Sequence, residues 1–195
     1  MPRFSRTALA CLLGALLATS VQADPVTLAD VKYADTTQLR NTSLQLNGAG
    51  IRYKAIFKVY TAGLYLEQKA NTPAAVFAMA GPKRLSITML REIDSSELGK
   101  LFSRGMEDNM DRTSFSKLIP GVLRMSQIFS DHKKLEAGDS FMIDWVPGQG
   151  SIITVKGVVQ GEPFKEPAFF NALLGIWLGN KPADWKLKDA LLGKE

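Results

Sequence analysis

One stretch of the chain, from Leu46 to Leu66, constrains the fold more than any other. It opens with Gly48 and Gly50, two glycines that permit close backbone approach or positive φ. It then passes Arg52 and enters a run rich in β-branched and aromatic residues, which is typical of a β-strand. Apolar residues fall on both faces of this strand, so we expect it to be covered on both sides. A charged arginine and a phenol beside so apolar a strand are the first candidates for functional chemistry.

The N-terminal segment 1–23 has the pattern of a secretory signal peptide. Arg3 and Arg6 precede a short apolar run, and small residues predict cleavage after Ala23. The apolar run is too short to serve as a stable transmembrane helix. We therefore predict export, which in a bacterium means the periplasm, and one mature domain over residues 24–195 with no stable membrane span.

Composition excludes several classes of site. Removal of the signal segment would take away Cys11, the one cysteine, and would lower the formal net charge from +5 to +3 because two arginines leave with it. Disulfides and cysteine metal sites are then impossible, and the mild, dispersed charge argues against a nucleic-acid partner. The one histidine, His132, lies in a polar stretch without the pattern of a catalytic triad, and no phosphate-binding glycine motif is present. We therefore expect no metal and no cofactor.

Hydrophobic periodicity and cap signals predict an α+β fold with a largely antiparallel sheet, since the strands cluster and the helices follow on one side. Val159 is expected to face inward in the last hairpin. The predicted strands are 26–33, 43–51, 56–67, 83–93, 140–146 and 150–159, and a polar connector covers 34–41. The predicted helices are 72–79, 94–110, 114–129 with an interruption at Pro120, 166–178 and 182–192.

The order and spacing of these motifs resemble the chalcone isomerase fold family, and in particular its small exported bacterial members. The resemblance rests on seven features: the stretch Leu46–Arg52, the frame Lys58–Leu66, a strand that ends at Thr88-Met89, a long helix, the strand Gly138–Trp145, a Pro-Gly turn and the terminal helix Leu173–Gly179. It covers about residues 44 to 192. It implies an open-faced β-sandwich in which a curved antiparallel sheet packs against a helical layer and holds a ligand cleft.

The resemblance also implies site residues. The family arginine that binds a ligand oxyanion matches Arg52, and the polar residue of the next strand matches Tyr60, with Thr61 as the alternative in the adjacent register. Three further polar positions of the isomerase site are apolar or lack a side chain here, so the hydrogen-bond donors needed for cyclisation are missing. These positions are Leu98, Gly105 and Ile176.

An arginine fork with a phenol hydroxyl suits a carboxylate, and long apolar walls suit an acyl chain or an aromatic skeleton. We therefore expect non-catalytic binding of a small amphipathic carboxylate or phenolate, such as a fatty acid. The alternative is an isomerase or lyase acting on an unsaturated or phenolic compound, with Arg52 as electrophile and Tyr60 as acid. A third possibility is a structural or interaction protein whose cleft has closed.

The same residues also have purely structural interpretations. Arg52 could form a salt bridge with Asp30 or Glu67, and Tyr60 could be a core residue. Arg91 falls on the apolar face of its strand, where it either reaches outward at the strand end or points into a cavity.

Overall fold

The chain is described over residues 25–194 by a computed structural model. The predicted signal segment 1–23 lies outside the described residues, so export and cleavage stay predictions. The strands are β1 (Val26–Leu28), β2 (Val31–Tyr33), β3 (Thr36–Leu39), β4 (Thr42–Lys54), β5 (Phe57–Leu66), β6 (Lys83–Met89), β7 (Ile93–Asp94), β8 (Lys134–Leu135), β9 (Ser140–Val146), β10 (Gly150–Val155) and β11 (Val158–Val159). The helices are α1 (Pro73–Ala78), α2 (Ser95–Asp108), α3 (Arg112–Ser130), α4 (Pro167–Leu178) and α5 (Trp185–Leu191).

Seven strands form one curled antiparallel sheet in the order β11-β10-β9-β6-β5-β4-β3. The strands β1 and β2 pair with each other, as do β7 and β8. The helices α2 to α5 contribute to a large core on one face of the sheet, and β2 contributes to a smaller core on the other. The predicted α+β class, with an antiparallel sheet packed against a helical layer, is confirmed.

Strand β5 lies inside the sheet and is buried from Val59 to Leu66. Its even-numbered residues from Tyr60 onward face the helices, and its odd-numbered residues from Thr61 onward face the smaller core. The prediction that both faces are covered is confirmed. The alternation breaks at Val59, which joins the helix-side core because a register shift leaves it without a partner on β4.

The glycine pair of β4 allows α5 to pack directly on the sheet. A Cβ atom added to Gly48 would lie 2.0 Å from the carbonyl oxygen of Ala190, and one added to Gly50 would lie 2.7 Å from the Ala190 Cβ. Neither glycine has positive φ. Close approach, rather than backbone conformation, is therefore the reason for glycine at both positions.

Aromatic rings dominate the core between the sheet and the helices. Phe102 of α2 makes edge-to-face contacts with Phe129 of α3, Phe141 of β9 and Trp177 of α4, with ring centroids 5.0, 5.7 and 5.8 Å apart. Such pairs each contribute about 0.5–1.5 kcal/mol beyond the burial of area. The cluster holds α2 and α4 in place, and these two helices form walls of the space beside Arg52.

The N-terminal region differs from its prediction. The segment 26–33 is a hairpin of two short strands rather than one, because Ala29 and Asp30 adopt positive φ of 47° and 67° and reverse the chain. The predicted connector contains β3, which pairs with β4 at the edge of the main sheet. Polar residues in β3 masked its strand character, since an edge strand exposes one face to solvent.

Helix α3 is continuous through Pro120, so the predicted interruption is wrong. The proline removes one backbone hydrogen bond. Packing on either side of it offsets that loss: Leu118, Val122 and Met125 are all buried. Tertiary contacts therefore override the local helix-breaking signal.

The final hairpin forms between β9 and β10 as predicted, but β10 ends at Val155. Lys156 and Gly157 have φ of 51° and 79° and turn the chain into β11. Val159 lies on this edge strand and is 58% exposed, so its predicted inward position is wrong. Between residues 25 and 194, no helix is both long enough and apolar enough to cross a bilayer.

Candidate functional site

Arg52 and Tyr60 lie directly opposite each other on β4 and β5. Residues paired in this way project from the same face of the sheet. The central carbon of the Arg52 guanidinium lies 5.5 Å from the centroid of the Tyr60 ring, within the range of a cation–π contact. The structure therefore brings these two predicted site residues together on the face that the helices cover.

The Arg52 side chain lacks an anionic partner among the described residues. Its Nε is buried and forms no hydrogen bond, and none of the ion pairs within residues 25–194 includes Arg52. The salt bridge considered with Asp30 or Glu67 is therefore not formed. A buried guanidinium nitrogen without an acceptor has lost its hydrogen bonds to water and has gained none within the protein. An anion that accepts a hydrogen bond from it would therefore bind favourably.

The Tyr60 hydroxyl is held inside the protein. It accepts a hydrogen bond of 2.8 Å from the Trp177 indole N–H, and the residue is only 5% exposed. Burial raises the pKa of Tyr60 to about 12, although the Arg52 charge and the Trp177 hydrogen bond act in the opposite direction. The phenol therefore keeps its proton at neutral pH and can donate that proton in a hydrogen bond.

Arg52 and Tyr60 border a cavity of about 170 Å³ between the sheet, α2 and α4. Most of its inner wall is apolar. Its other lining residues are Leu98, Leu101, Phe102, Arg104, Gly105, Asp108, Ile176, Lys181, Pro182 and Ala183. The charged ones, Arg104, Asp108 and Lys181, are exposed, so the cavity joins an apolar interior to a polar rim.

A second space of about 270 Å³ adjoins the first, and Arg52 and Leu101 line both. Its lining is more strongly charged and includes Lys54, Arg91 and Glu97. We call these two spaces the inner cavity and the outer groove. Arg91 is exposed, so it reaches outward at the strand end rather than into the core.

A wider depression of about 680 Å³ lies beside the sheet, next to Asn47, and is less suited to binding a ligand than the inner cavity. The amide of Asn47 already exchanges hydrogen bonds with the backbone of Ala70 and donates to Leu191, so its polar atoms are occupied by the fold itself.

The sequence model described as chalcone isomerase-like matches residues 25–193 of this chain. The chain belongs to the chalcone isomerase-like family. The crystal structure of a fatty-acid binding protein from Arabidopsis thaliana is similar, with a TM-score of 0.68 over 87% of this chain and 96% of that chain. The two sequences are 14% identical, so this likeness establishes a common fold. No curated protein sequence matches the chain.

This chalcone isomerase-like chain brings together the positions that the resemblance implied, although they lie far apart in sequence. All three positions expected to have lost polar groups line the inner cavity with Arg52 and Tyr60. None of the three carries a side-chain donor or acceptor. A Cβ atom added to the glycine would lie 3.0 Å from Ile176, so the helices α2 and α4 are close at this point. The three residues are Leu98, Gly105 and Ile176.

Thr61 lies on the opposite face of the sheet from the inner cavity. Its hydroxyl accepts a hydrogen bond of 2.8 Å from Tyr33 and is fully buried in the smaller core. The structure thus places Tyr60, and not Thr61, beside Arg52. Lys58, at the start of β5, is exposed.

Trp177 is the residue of the site that sequence reasoning missed. The sequence places it within the predicted helix 166–178, where most of its neighbours are apolar and no pattern marks a polar contact. Its indole N–H fixes the Tyr60 oxygen, which leaves the phenolic proton free to point elsewhere. A buried tryptophan needs a partner for its N–H, and this requirement is the signal that could have indicated a polar neighbour.

Proposed function

We propose that this chalcone isomerase-like protein binds a small amphipathic carboxylate without transforming it, with Arg52 as the group that receives the anion. The observation that carries the proposal is the buried, unpartnered Nε of Arg52 at the boundary of an apolar cavity. A guanidinium can donate two parallel hydrogen bonds to a carboxylate, and such charge-assisted bonds are about twice as strong as neutral ones.

Tyr60 supplies a second donor in this proposal. Its pKa of about 12 keeps the hydroxyl protonated, so it would attract a carboxylate rather than repel it. The Trp177 N–H occupies a lone pair of the phenol oxygen and orients the ring. Arg52 and Tyr60 would then contact one carboxylate from two neighbouring strands, which are held rigidly by the sheet.

The apolar wall would receive the rest of the ligand. A volume of 170 Å³ corresponds to about six groups of the size of a water molecule or a methylene, each taking about 30 Å³. The inner cavity therefore suits a fatty acid of short to medium chain, and the seven alkyl carbons of octanoate are enough to fill it. Each buried methylene contributes about 0.8 kcal/mol, so affinity should rise with chain length until the cavity is filled.

The same features weigh against an isomerase or lyase. A general acid works best with a pKa near the working pH, and a phenol with a pKa of about 12 releases its proton poorly at neutral pH. The wall positions opposite Arg52 also offer no donor for a developing enolate, because Leu98, Gly105 and Ile176 are apolar.

The test is titration of octanoate into the purified protein by calorimetry, with octanol as the uncharged comparison. Arg52→Ala should weaken octanoate binding by about 2–4 kcal/mol, the scale for losing one partner of a buried charge pair. Arg52→Lys should be intermediate because lysine keeps the charge but not the fork. Tyr60→Phe should cost about 0.5–1.5 kcal/mol.

Arg112→Ala is the matched control, since Arg112 is an exposed arginine at the start of α3 away from the cavity. Its affinity for octanoate should equal that of the wild type. Thermal unfolding of the same variants separates a binding role from a structural one. Arg52→Ala should leave the stability of the ligand-free protein unchanged or higher. A large loss of stability with unchanged affinity would remove Arg52 from the binding site.

We also propose that the protein acts in the periplasm after cleavage behind Ala23. The support is the sequence pattern alone: two arginines, an apolar run and a small-residue cleavage site. N-terminal sequencing of the protein from a periplasmic extract should begin at Asp24. Protein that retains residues before Ala23 would refute this processing.

A further inference from the structure

The turn between β4 and β5 has an apolar tip that projects into solvent. Ala55 and Ile56 connect the paired residues Lys54 and Phe57. Ile56 is 84% exposed and Phe57 is 57% exposed. Ala55 has φ of 55°, a conformation that favours glycine or asparagine, and tight turns rarely place isoleucine at their tip. Turn formation therefore does not explain why the exposed residues here are apolar, whereas contact with a binding partner does.

Free cations surround this tip. Lys54 and Lys58 flank it in the chain, and the Arg91 guanidinium lies 5.4 Å from the centroid of the Phe57 ring. None of the three takes part in the ion pairs formed within residues 25–194. Most of the nearby acidic side chains already interact with other groups of the protein.

Glu92 pairs with Lys134 at 2.7 Å, and Asp94 caps helix α2 through the Glu97 N–H. Glu97 itself borders the outer groove and is the acidic side chain there without such a partner among the described residues. Asp184 is a further acidic group beside the hairpin. The local balance around the tip is still positive, because five cations outside the ion pairs formed within residues 25–194 outnumber three such acidic side chains: Lys54, Lys58, Arg91, Lys186 and Lys188 against Asp94, Glu97 and Asp184.

Two further exposed aromatic residues lie beside the tip, Tyr53, which is 40% exposed, and Trp185. The Tyr53 N–H donates a 3.0 Å hydrogen bond to Asp184, which places the start of α5 next to the hairpin. The following residue, Trp185, is 60% exposed and has the Lys188 ammonium 4.8 Å from its ring centroid. We call the surface formed by residues 53–58 and Trp185 the docking end.

We propose that the docking end binds the surface of an anionic phospholipid bilayer. Aliphatic and aromatic side chains would enter the interfacial region, and the surrounding lysines and arginine would contact lipid phosphates. Tryptophan, tyrosine and cationic residues are the side chains that favour this interface. Each lysine near an anionic surface strengthens binding about fivefold.

The bilayer is the partner that the charges favour. An apolar tip ringed by unpaired cations matches a surface that is apolar inside and anionic outside, whereas a protein partner would need a pocket of the same pattern. Lys54 of the docking end and the neighbouring Arg91 line the outer groove beside Arg52. A membrane bound here would face the entrance to the ligand site, but the docking itself does not depend on any ligand.

The experiment is co-sedimentation of the protein with vesicles of equal parts phosphatidylcholine and phosphatidylglycerol, compared with vesicles of phosphatidylcholine alone. The wild type should bind the anionic vesicles and should dissociate as salt is raised. All variants are prepared identically, so whatever the first 23 residues contribute is common to every sample. Ile56→Ser with Phe57→Ser should weaken binding at least about tenfold through lost apolar area.

Lys54→Glu with Lys58→Glu should weaken binding at least about twentyfold, since two attractions are replaced by repulsions. Val158→Ser with Val159→Ser is the matched control, because these valines are also exposed, at 62% and 58%, but lie on edge strand β11. The control should bind as the wild type does. Lipids brominated in their acyl chains should quench the fluorescence of Trp185, and Trp185→Phe should abolish that quenching.

Absence of wild-type binding to the anionic vesicles would overturn the proposal. So would equal binding of the tip variant and the valine control, or vesicle binding without quenching of Trp185. Recognition of the same tip by a protein, in the absence of vesicle binding, would assign the docking end to a protein and refute the membrane assignment. Quenching is measured on the wild type, so the test holds even if a tip variant fails to fold.

Discussion

A glycine in the wall of the inner cavity offers a test in which one added methyl group measures the space available to the ligand. Gly105 lies in α2 at the cavity wall, and an added Cβ would lie 3.0 and 3.1 Å from two carbons of Ile176. Gly105→Ala would therefore take space from the cavity and press on α4. No polar group is gained or lost, so any change in affinity reflects volume alone.

The magnitude follows from the cavity size. A methyl group occupies about 30 Å³, roughly one of the six positions in a cavity of 170 Å³. Octanoate, which would fill the cavity, should lose the burial of about one methylene, or about 0.8 kcal/mol. Its affinity should fall about fourfold. Butyrate leaves room unfilled and should lose much less.

The control is Gly99→Ala in the same helix. A Cβ atom at Gly99 would make ordinary contact with Ser126, 3.4 Å away, and Gly99 does not line the inner cavity. Both substitutions gain about 1 kcal/mol of helix propensity, which thermal unfolding should show for Gly99→Ala. Gly105→Ala should gain less, because Ile176 must move to accommodate the methyl group.

Calorimetric titration with butyrate, hexanoate and octanoate tests whether the alkyl chain lies in the inner cavity. We expect the affinity gap between wild type and Gly105→Ala to widen with chain length, while Gly99→Ala follows the wild type throughout. If Gly105→Ala binds octanoate as tightly as Gly99→Ala does, the cavity beside Arg52 is not where the alkyl chain lies.

Two further predictions concern stability. Burial raises the pKa values of Tyr33 and Tyr60 to about 12 from an ordinary value near 10. The neutral phenols therefore stabilise the fold below pH 10, and this stabilisation is lost as the pH rises through about 12. Denaturant titration should show a loss on the order of 2–3 kcal/mol per tyrosine, and Tyr60→Phe should remove its share; an unchanged pH profile in that variant would contradict the assignment. Gly48→Ala should destabilise the protein by about 2–4 kcal/mol, because its Cβ would meet the Ala190 carbonyl oxygen at 2.0 Å. A thermal unfolding midpoint equal to that of the wild type would show that α5 does not pack against β4 in this way.

Sequence patterns predicted the fold well wherever the residues of an element determine its structure without contacts from elsewhere in the chain. Apolar residues on both faces of β5 indicated burial on both sides, and Thr72 and Asp94 cap α1 and α2 at the predicted helix starts. Long-range packing decided the rest. Pro120 remains inside a helix because α3 buries an apolar face around it, and Val159 is exposed because a turn at Lys156 starts a new edge strand.

In the candidate site, too, local sequence predicted some features, and long-range packing determined the others. Arg52 and Tyr60 are neighbours on adjacent strands of one hairpin, so a local pattern could place them together. The register shift at Val59 set which residue faces the cavity, and the sequence alone left Tyr60 and Thr61 both open. The walls came from α2 and α4, whose positions relative to the hairpin were available only through resemblance to a known family. Trp177 was missed because its polar contact depends on that same packing.

The protonation state of a bound carboxylate tests the role of Arg52 most directly. Octanoate labelled with ¹³C at its carboxyl carbon can be titrated by NMR while bound to the wild type and to Arg52→Ala. A guanidinium beside the carboxylate favours the ionised form, whereas apolar walls favour the protonated form. We predict that Arg52→Ala raises the pKa of the bound acid by about 1–3 units relative to the wild type, while Arg112→Ala leaves it unchanged. The same pKa in wild type and Arg52→Ala would show that the ligand carboxylate does not lie at Arg52.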